Sequence, residues 1–258
     1  SQLIAWCPDV VHSQCEFSTF GLARRIAKAC GAPLVHTYHT VYEDYTHYFS
    51  PSRRWGRMLV KGFTCVITAK TDAVIAPSAK VRTLLEGYGV RTPVRVIPTG
   101  IALDRFTVTP DPDTLRDRRA ALGIPAENTI LLYVGRLARE KNIDELLESR
   151  AALGKAPVTL LLAGGGPDEA RLHQLAAAMG LQAPAVVFAG MVAPAEVPLI
   201  YHLGDVFVSA SESETQGLTY FEAMAAGLPL VCRADPCLDG VVTNGVDGWQ
   251  YATAAGRD

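Results

Sequence analysis

Two stretches of the sequence carry side chains whose types and spacing suit the gripping of a phosphate ester. The first is Ser209-Ala-Ser-Glu-Ser-Glu214-Thr-Gln-Gly217-Leu-Thr-Tyr-Phe-Glu222-Ala-Met-Ala-Ala-Gly227-Leu-Pro229. An apolar strand ending at Ser209 leads into a polar loop, and a helix follows from about Gly217 to Ala226, with Gly227 and Pro229 as its stop signals. The free N–H groups at residues 216 to 218, Leu218 among them, stand at the positive end of that helix and suit a diphosphate. Glycine at 217 permits close approach. Glu214 and Glu222 then flank the same spot and could hold hydroxyls on either side of it, the geometry a nucleotide sugar needs. The interval alone does not carry this, since Glu140 and Glu148 share it. The second stretch is Tyr133-Val-Gly135-Arg136-Leu-Ala-Arg-Glu-Lys141-Asn. It begins at the carboxyl end of an apolar strand, Gly135 allows a tight turn, and Arg136 and Lys141 can both reach phosphate oxygens. Paired cations matter because a departing nucleoside diphosphate gains negative charge in the transition state.

Such side chains need a scaffold, and the chain reads as short apolar strands alternating with amphipathic helices, an α/β pattern of parallel sheets covered on both faces. The strands expected in the first half are 10–12, 33–38, 73–76 and 94–97. Helices lie between them, one closed by Gly31 and one over 79–88 closed by Gly89. From Asp104 to Thr129 the texture changes to Pro110, Asp111, Pro112, Asp113, a charged helix, Gly123 and Pro125. A fresh set of strands follows at 130–134, 158–163, 185–188, 206–209 and 228–232. Two doubly wound, Rossmann-like domains are expected, over 1–103 and 128–258, with 104–127 as the linker. Gly164-Gly-Gly-Pro167 lacks the G-x-G-x-x-G spacing and reads as a plain turn at a strand end.

Composition narrows the function classes. The chain has 258 residues, with 24 basic against 26 acidic side chains and 49% hydrophobic residues. That is ample for buried sheets, and the near-zero net charge argues against a general nucleic-acid binder. The six cysteines show no C-x-x-C spacing and read as reduced, mostly buried thiols. No metal-ligating pattern and no Gly-x-Ser-x-Gly is present. No apolar run reaches the length of a membrane span, and the first residues do not read as a signal peptide.

The pairing of Gly135-Arg136…Lys141 with Glu214-x7-Glu222-Ala-Met-Ala-Ala-Gly-Leu-Pro resembles the retaining glycosyltransferases of family 4, which have the GT-B fold, two Rossmann-like domains with a cleft between them. The resemblance implies that Arg136 and Lys141 contact the donor diphosphate, Glu222 binds the ribose hydroxyls and Glu214 contacts the transferred sugar. Phe188-Ala-Gly190-Met191-Val192 resembles the family loop against the nucleobase, so Gly190 and Met191 are expected at the donor site with Gly217 and Leu218. In Val35-His36-Thr37-Tyr38-His39 the match to the family histidine that faces the donor sugar falls on His39, with His36 deeper and outside the site. By the same resemblance the donor diphosphate itself takes the acceptor proton, so no side-chain base is expected, and no cofactor is held tightly. Family members start well before Pro8 and continue well past Gly248, so a fragment is expected.

The wider string from His36 to Tyr48, with Ser-Glu-Ser-Glu-Thr-Gln-Gly-Leu-Thr, is similar to the bacterial diacylglycerol glucosyltransferases that make membrane glycolipids. That similarity implies UDP-glucose as donor, a lipid hydroxyl as acceptor, and work at the inner face of the cytoplasmic membrane. Independently, 46–70 holds five cations (Arg53, Arg54, Arg57, Lys61 and Lys70) and no acidic residue. Arg53, Arg57 and Lys61 share one helical face, and Trp55, Met58, Leu59, Phe63 and Val66 line another. Such a helix suits an anionic lipid surface at about 1 kcal/mol per cation. The same stripe equally suits packing against a sheet, and both readings stay open. So do other readings of the whole: GDP-mannose with a polyprenyl or inositol lipid, a sugar-nucleotide epimerase of GT-B type, and a non-enzymatic sugar-nucleotide sensor at a membrane.

Overall fold

The computed structural model describes residues 2–48 and 52–252. The chain divides into two compact units, Ser1–Gly100 with Ser213–Gln216, and Ile101–Glu212 with Gly217–Asp258.

The first unit contains α1 (Gln2–Trp6), β1 (Val11–Ser13), α2 (Ser18–Cys30), β2 (Leu34–Thr37), a 3₁₀ helix Tyr42–Tyr48, α3 (Arg53–Thr68), β3 (Ala73–Ala76), α4 (Ala79–Tyr88) and β4 (Val94–Val96). The strands pair in parallel in the order β1-β2-β3-β4. Gly31 and Gly89 end α2 and α4 in the left-handed conformation, φ 65° and 81°, as the sequence predicts. The Ser78 side chain caps α4 by accepting from the Val81 N–H. Val74, Ala76, Val81 and Leu85 are fully enclosed, and Tyr38, Val60 and Tyr88 pack with them.

The second unit contains α5 (Asp104–Thr107), α6 (Pro112–Ala121), β5 (Thr129–Val134), a 3₁₀ turn Arg139–Lys141, α7 (Ile143–Ala152), β6 (Val158–Ala163), α8 (Glu169–Ala178), β7 (Val186–Gly190), α9 (Val197–Tyr201), β8 (Val206–Ser209), α10 (Leu218–Ala225), β9 (Leu230–Arg233) and β10 (Gly248–Tyr251). Its parallel sheet has the order β10-β9-β8-β5-β6-β7. That is the doubly wound arrangement, and the chain's direction across the sheet reverses between β5 and β8.

Alternation along its strands feeds two separate cores. Ile130, Leu132, Leu161 and Phe207 join one cluster, while Tyr133, Leu160, Leu162 and Val208 join the other on the opposite face. Residues 104–127, expected as a linker, are instead grouped with the second unit. The physical reason is Phe106, which is fully buried in the first of those clusters with Ile124 beside it.

One further expectation changes. Of the six free cysteines only Cys232 and Cys237 are buried, and Cys7 is exposed. Of the two open readings of α3, inward packing of its apolar stripe is not the one seen. Gly56, Val60, Thr64 and Thr68 are buried on α3, whereas Trp55, Met58, Leu59, Phe63 and Val66 are exposed, Trp55 by 61%.

Candidate functional site

In an open parallel sheet, ligands gather beyond the carboxyl ends of the strands where the winding reverses. In the second unit those ends belong to β5 and β8, which pair directly. They release the two segments singled out by their chemistry, 135–141 and 210–217.

After β5 the chain turns at Gly135, and the Tyr133 hydroxyl donates to the Arg136 carbonyl oxygen at 3.0 Å, fixing the turn from below. The Arg136 side chain stays exposed. The turn is also held by three glycines that composition alone gave no role. A Cβ at Gly164 would stand 2.0 Å from the Gly135 carbonyl oxygen, and one at Gly166 2.2 Å from that of Leu137. Gly164, at φ +133°, also has a backbone that side chains rarely adopt. Only glycine lets the β6 end lie against the β5 end so closely. The signal in the sequence was the run of three glycines itself, at a strand terminus.

A cavity of about 330 Å³ opens beside this junction, lined by Gly135, Arg136, Gly164, Gly165, Met191 and Val192 together with Val197 and Ile200 of α9. Its walls are largely apolar, with Arg136 the one charged side chain among the lining residues. Met191 is 81% exposed at its mouth, directly after Gly190, which takes φ 67° at the end of β7. Arg136 and Met191, expected at one site, are therefore brought to one cavity.

Lys141 ends the 3₁₀ turn, and its Nζ lies 3.5 Å from the Ser211 hydroxyl. The Glu212 N–H donates to the Glu140 carbonyl oxygen at 3.1 Å, tying that turn to the loop after β8. The loop is tied in turn to α10: the Tyr220 hydroxyl donates to Ser209 Oγ at 2.8 Å, and the Ser211 N–H donates to the same oxygen at 3.4 Å. α10 starts at Leu218 behind Gly217, whose φ of 72° is left-handed and whose absent Cβ would meet the Tyr220 ring at 2.7 Å. Lys141 and the opening turn of α10 are thus linked through Ser209 and Ser211.

Glu222 lies one turn into α10, half-buried. Its Oε2 accepts from the Tyr201 hydroxyl at 2.8 Å, and its Oε1 lies 3.9 Å from an Arg105 nitrogen. The Arg105 guanidinium stacks on the Phe106 ring at 4.6 Å. Tyr201 and Arg105 are the residues that motif reasoning missed, because their distance from Glu222 along the chain leaves no local pattern.

The remaining site residues fall in the first unit. His39 follows β2, and its Nε2 lies 2.6 Å from Gln14 Oε1. Burial lowers the His39 pKa below its ordinary value; the nearby Glu16 opposes this, and the neighbouring His36 and His12 act with it. His36 is fully buried, with Nε2 3.3 Å from a Glu16 carboxylate oxygen that lies among protein groups. Tyr42 donates to the other Glu16 oxygen at 2.6 Å. Glu214 belongs to the segment Ser213–Gln216, where Lys80 Nζ donates to its carbonyl oxygen at 2.9 Å. Gln216 meets the Thr99 main chain twice, at 2.8 and 3.2 Å.

On α3, Arg54, Arg57 and Lys61 are exposed beside the apolar stripe. Arg53 begins the helix, and its side chain lies outside the described residues. The basic character of 46–70 is tempered from outside that window, because Glu43 pairs with Arg57 at 3.2 Å. Among the described residues no helix is long and apolar enough to cross a membrane, and no group of three or more His, Cys, Asp or Glu could hold a metal ion.

Such a unit, a doubly wound parallel sheet with a basic turn at its switch point, is of the Rossmann-like class. Comparison with known proteins gives the family. Residues 116–255 match the family described as "Glycosyl transferases group 1", and residues 1–105 match "Glycosyltransferase Family 4". The chain belongs to the group 1 glycosyl transferases, and its fold class is GT-B. It is 40% identical over 247 residues to an alpha-monoglucosyldiacylglycerol synthase of Streptococcus pneumoniae, covering 94% of this chain and 56% of that protein. It is 34% identical over 253 residues to the synthase of the same name from Acholeplasma laidlawii, covering 93% and 62%. The chain therefore spans a little over half the length of these relatives. Among solved structures, Anabaena Alr3699/HepE in complex with UDP-glucose superposes with a TM-score of 0.80 at 21% identity, over 98% of this chain and 68% of that one.

Proposed function

We propose that the protein is a retaining hexosyltransferase that moves glucose from UDP-glucose to diacylglycerol at an anionic membrane surface. The donor half of this reading is supported by three anion-binding features that follow the ends of neighbouring strands in one unit. The Arg136 turn follows β5 and lines a largely apolar cavity, while Lys141 reaches Ser211 in the loop after β8, the strand beside β5, and that loop leads to the amide end of α10. In this reading the two cations and the helix end take up the charge that develops on the departing diphosphate. The cavity behind Met191 takes the nucleobase, Glu222 the ribose hydroxyls, and His39 and Glu214 the transferred sugar. The diphosphate receives the acceptor proton.

The acceptor half is supported by α3, which buries Gly56, Val60, Thr64, Ile67 and Thr68 and leaves Trp55, Met58, Leu59 and Val66 outside beside Arg54 and Lys61. A soluble unit gains nothing from that arrangement in water, and an interface between lipid headgroups and chains rewards it. The names of the relatives agree with a diacylglycerol acceptor. Peripheral attachment at the cytoplasmic face follows, because nucleotide sugars and anionic lipid are found together there.

The test supplies full-length protein with diacylglycerol in vesicles containing phosphatidylglycerol, and offers UDP-glucose, UDP-galactose and GDP-mannose in turn. The expected result is α-linked glucosyl diacylglycerol from UDP-glucose alone. A β-linked product, or donor turnover that ignores the lipid, would overturn the reading.

A further inference from the structure

A carboxylate that is to read a ribose must be held still, so that little freedom is lost when the two vicinal hydroxyls arrive. Tyr201 meets that need. It is fully buried at the end of α9, packed edge-on against Phe106 at 5.4 Å and near-parallel to Phe207 at 6.1 Å. Its hydroxyl donates to Glu222 Oε2 at 2.8 Å and approaches the Thr219 carbonyl oxygen at 3.3 Å. Burial, and then the Glu222 charge, push its pKa far above the ordinary phenol value, so the proton stays on the tyrosine. Arg105 approaches the other carboxylate oxygen, 3.9 Å from Oε1. The short helix α9 thereby connects the cavity wall, at Val197 and Ile200, with the orientation of Glu222.

We propose that Tyr201 is a positioning residue for donor recognition: its hydroxyl fixes the Glu222 carboxylate as a preset acceptor for the cis-diol of a ribonucleoside diphosphate. This rests on the reading of Glu222 as the ribose-binding residue. It implies that the protein discriminates strongly between a ribonucleotide and its dideoxy counterpart, and that the discrimination depends on a side chain outside the contact itself.

Isothermal titration of full-length protein with UDP and with 2′,3′-dideoxyuridine diphosphate tests it. Wild-type protein is expected to bind UDP at least tenfold more tightly, the scale of hydrogen bonds to a charged group. Tyr201→Phe keeps the ring and its packing, so the fold survives. It should weaken UDP about fivefold while leaving the dideoxy compound unchanged. Glu222→Ala should bring the two ligands level, and Tyr201→Phe added to Glu222→Ala should cost nothing further. Discrimination that persists in Glu222→Ala would remove the ribose reading and this proposal with it. Collapse in Glu222→Ala with an unchanged ratio in Tyr201→Phe would overturn the positioning role alone. So would a loss in Tyr201→Phe that falls equally on both ligands, which is the mark of a merely structural residue.

Discussion

The two units use their apolar side chains in opposite ways. In the second, both faces of a six-stranded sheet are covered, and strand residues alternate between two enclosed clusters. Its polar groups at the strand ends hold one another by hydrogen bonds, and a small cavity lies beside the β5 end. In the first, the helix faces that would ordinarily be covered are exposed. Phe17, Trp55, Met58, Leu59 and Val66 lie open, while polar side chains such as His36, Glu16, Thr64 and Thr68 are enclosed. Under the proposed function, the second unit's arrangement serves a small ligand held by backbone and fixed charge, and the first unit's serves contact with something apolar and negatively charged.

That contrast is easiest to break on α3. Arg54, Arg57 and Lys61 changed together to Glu should abolish sedimentation with anionic vesicles, a loss of at least a hundredfold at about 1 kcal/mol per cation removed. UDP affinity should be untouched. Arg57 alone should matter least of the three, because Glu43 already neutralises it. Undiminished sedimentation of the triple variant would place the membrane contact elsewhere.

In the second unit the most damaging small change is Gly164→Ala. The new methyl would sit 2.0 Å from the Gly135 carbonyl oxygen, on a backbone at φ +133° that side chains rarely adopt. A loss of about 2 kcal/mol or more is expected in chemical denaturation, with weakened UDP binding. Gly87→Ala, with nothing near its added methyl on α4, should raise stability by about 0.5 to 1 kcal/mol.

Trp55→Ala should be almost silent for folding, since the ring is largely in solvent, yet should weaken vesicle binding by about 1 to 2 kcal/mol. Equal losses in both measurements would mean that the ring is part of the core.

Acid should separate the units more gently. Burial, then the neighbouring His36, lowers the pKa of His12; burial likewise lowers that of His39. For Glu16 burial alone would raise the pKa, but hydrogen bonds from His36 and Tyr42 outweigh it, and the net shift is downward. In all three cases the unfolded chain binds the proton more readily, so stability rises with pH. The histidine contribution is complete above about pH 6.5 and is lost as pH falls through the lowered values; that of Glu16 follows in the carboxylate range. In the second unit Asp168, lowered chiefly by hydrogen bonds from Arg171, gives way only in the carboxylate range. Hydrogen exchange between pH 7 and 5 should therefore show β1 and β2 loosening before β5 and β6. His12→Gln with His39→Gln should remove that early phase.

What was legible in the sequence was local. Apolar runs of strand length, the Gly31 and Gly89 stops, and the helix behind Gly217 all follow from short-range chemistry. The Arg136 turn falls at the end of β5 because an apolar strand followed by glycine and charge has few other places to go. What was not legible depends on which surface meets which. Periodicity gave α3 two candidate faces without saying that the Gly56, Val60 and Thr64 side turns inward. Phe106 draws 104–127 into a core that a count of prolines and charges cannot foresee. The run Gly164 to Gly166 looked like a simple turn because its role is to admit another backbone from elsewhere in the chain. Tyr201 was invisible because its partner is twenty-one residues away on another helix.

The central claim is that Arg136, Lys141 and the start of α10 together grip a diphosphate. It is tested most directly by titrating full-length protein, and its Arg136→Ala, Lys141→Ala double variant, with UDP and with uridine. The account predicts that the double variant loses UDP affinity by at least a hundredfold while uridine, which has no phosphate, binds both proteins alike. UDP affinity that survives the double substitution, or a loss shared equally by uridine, would contradict it.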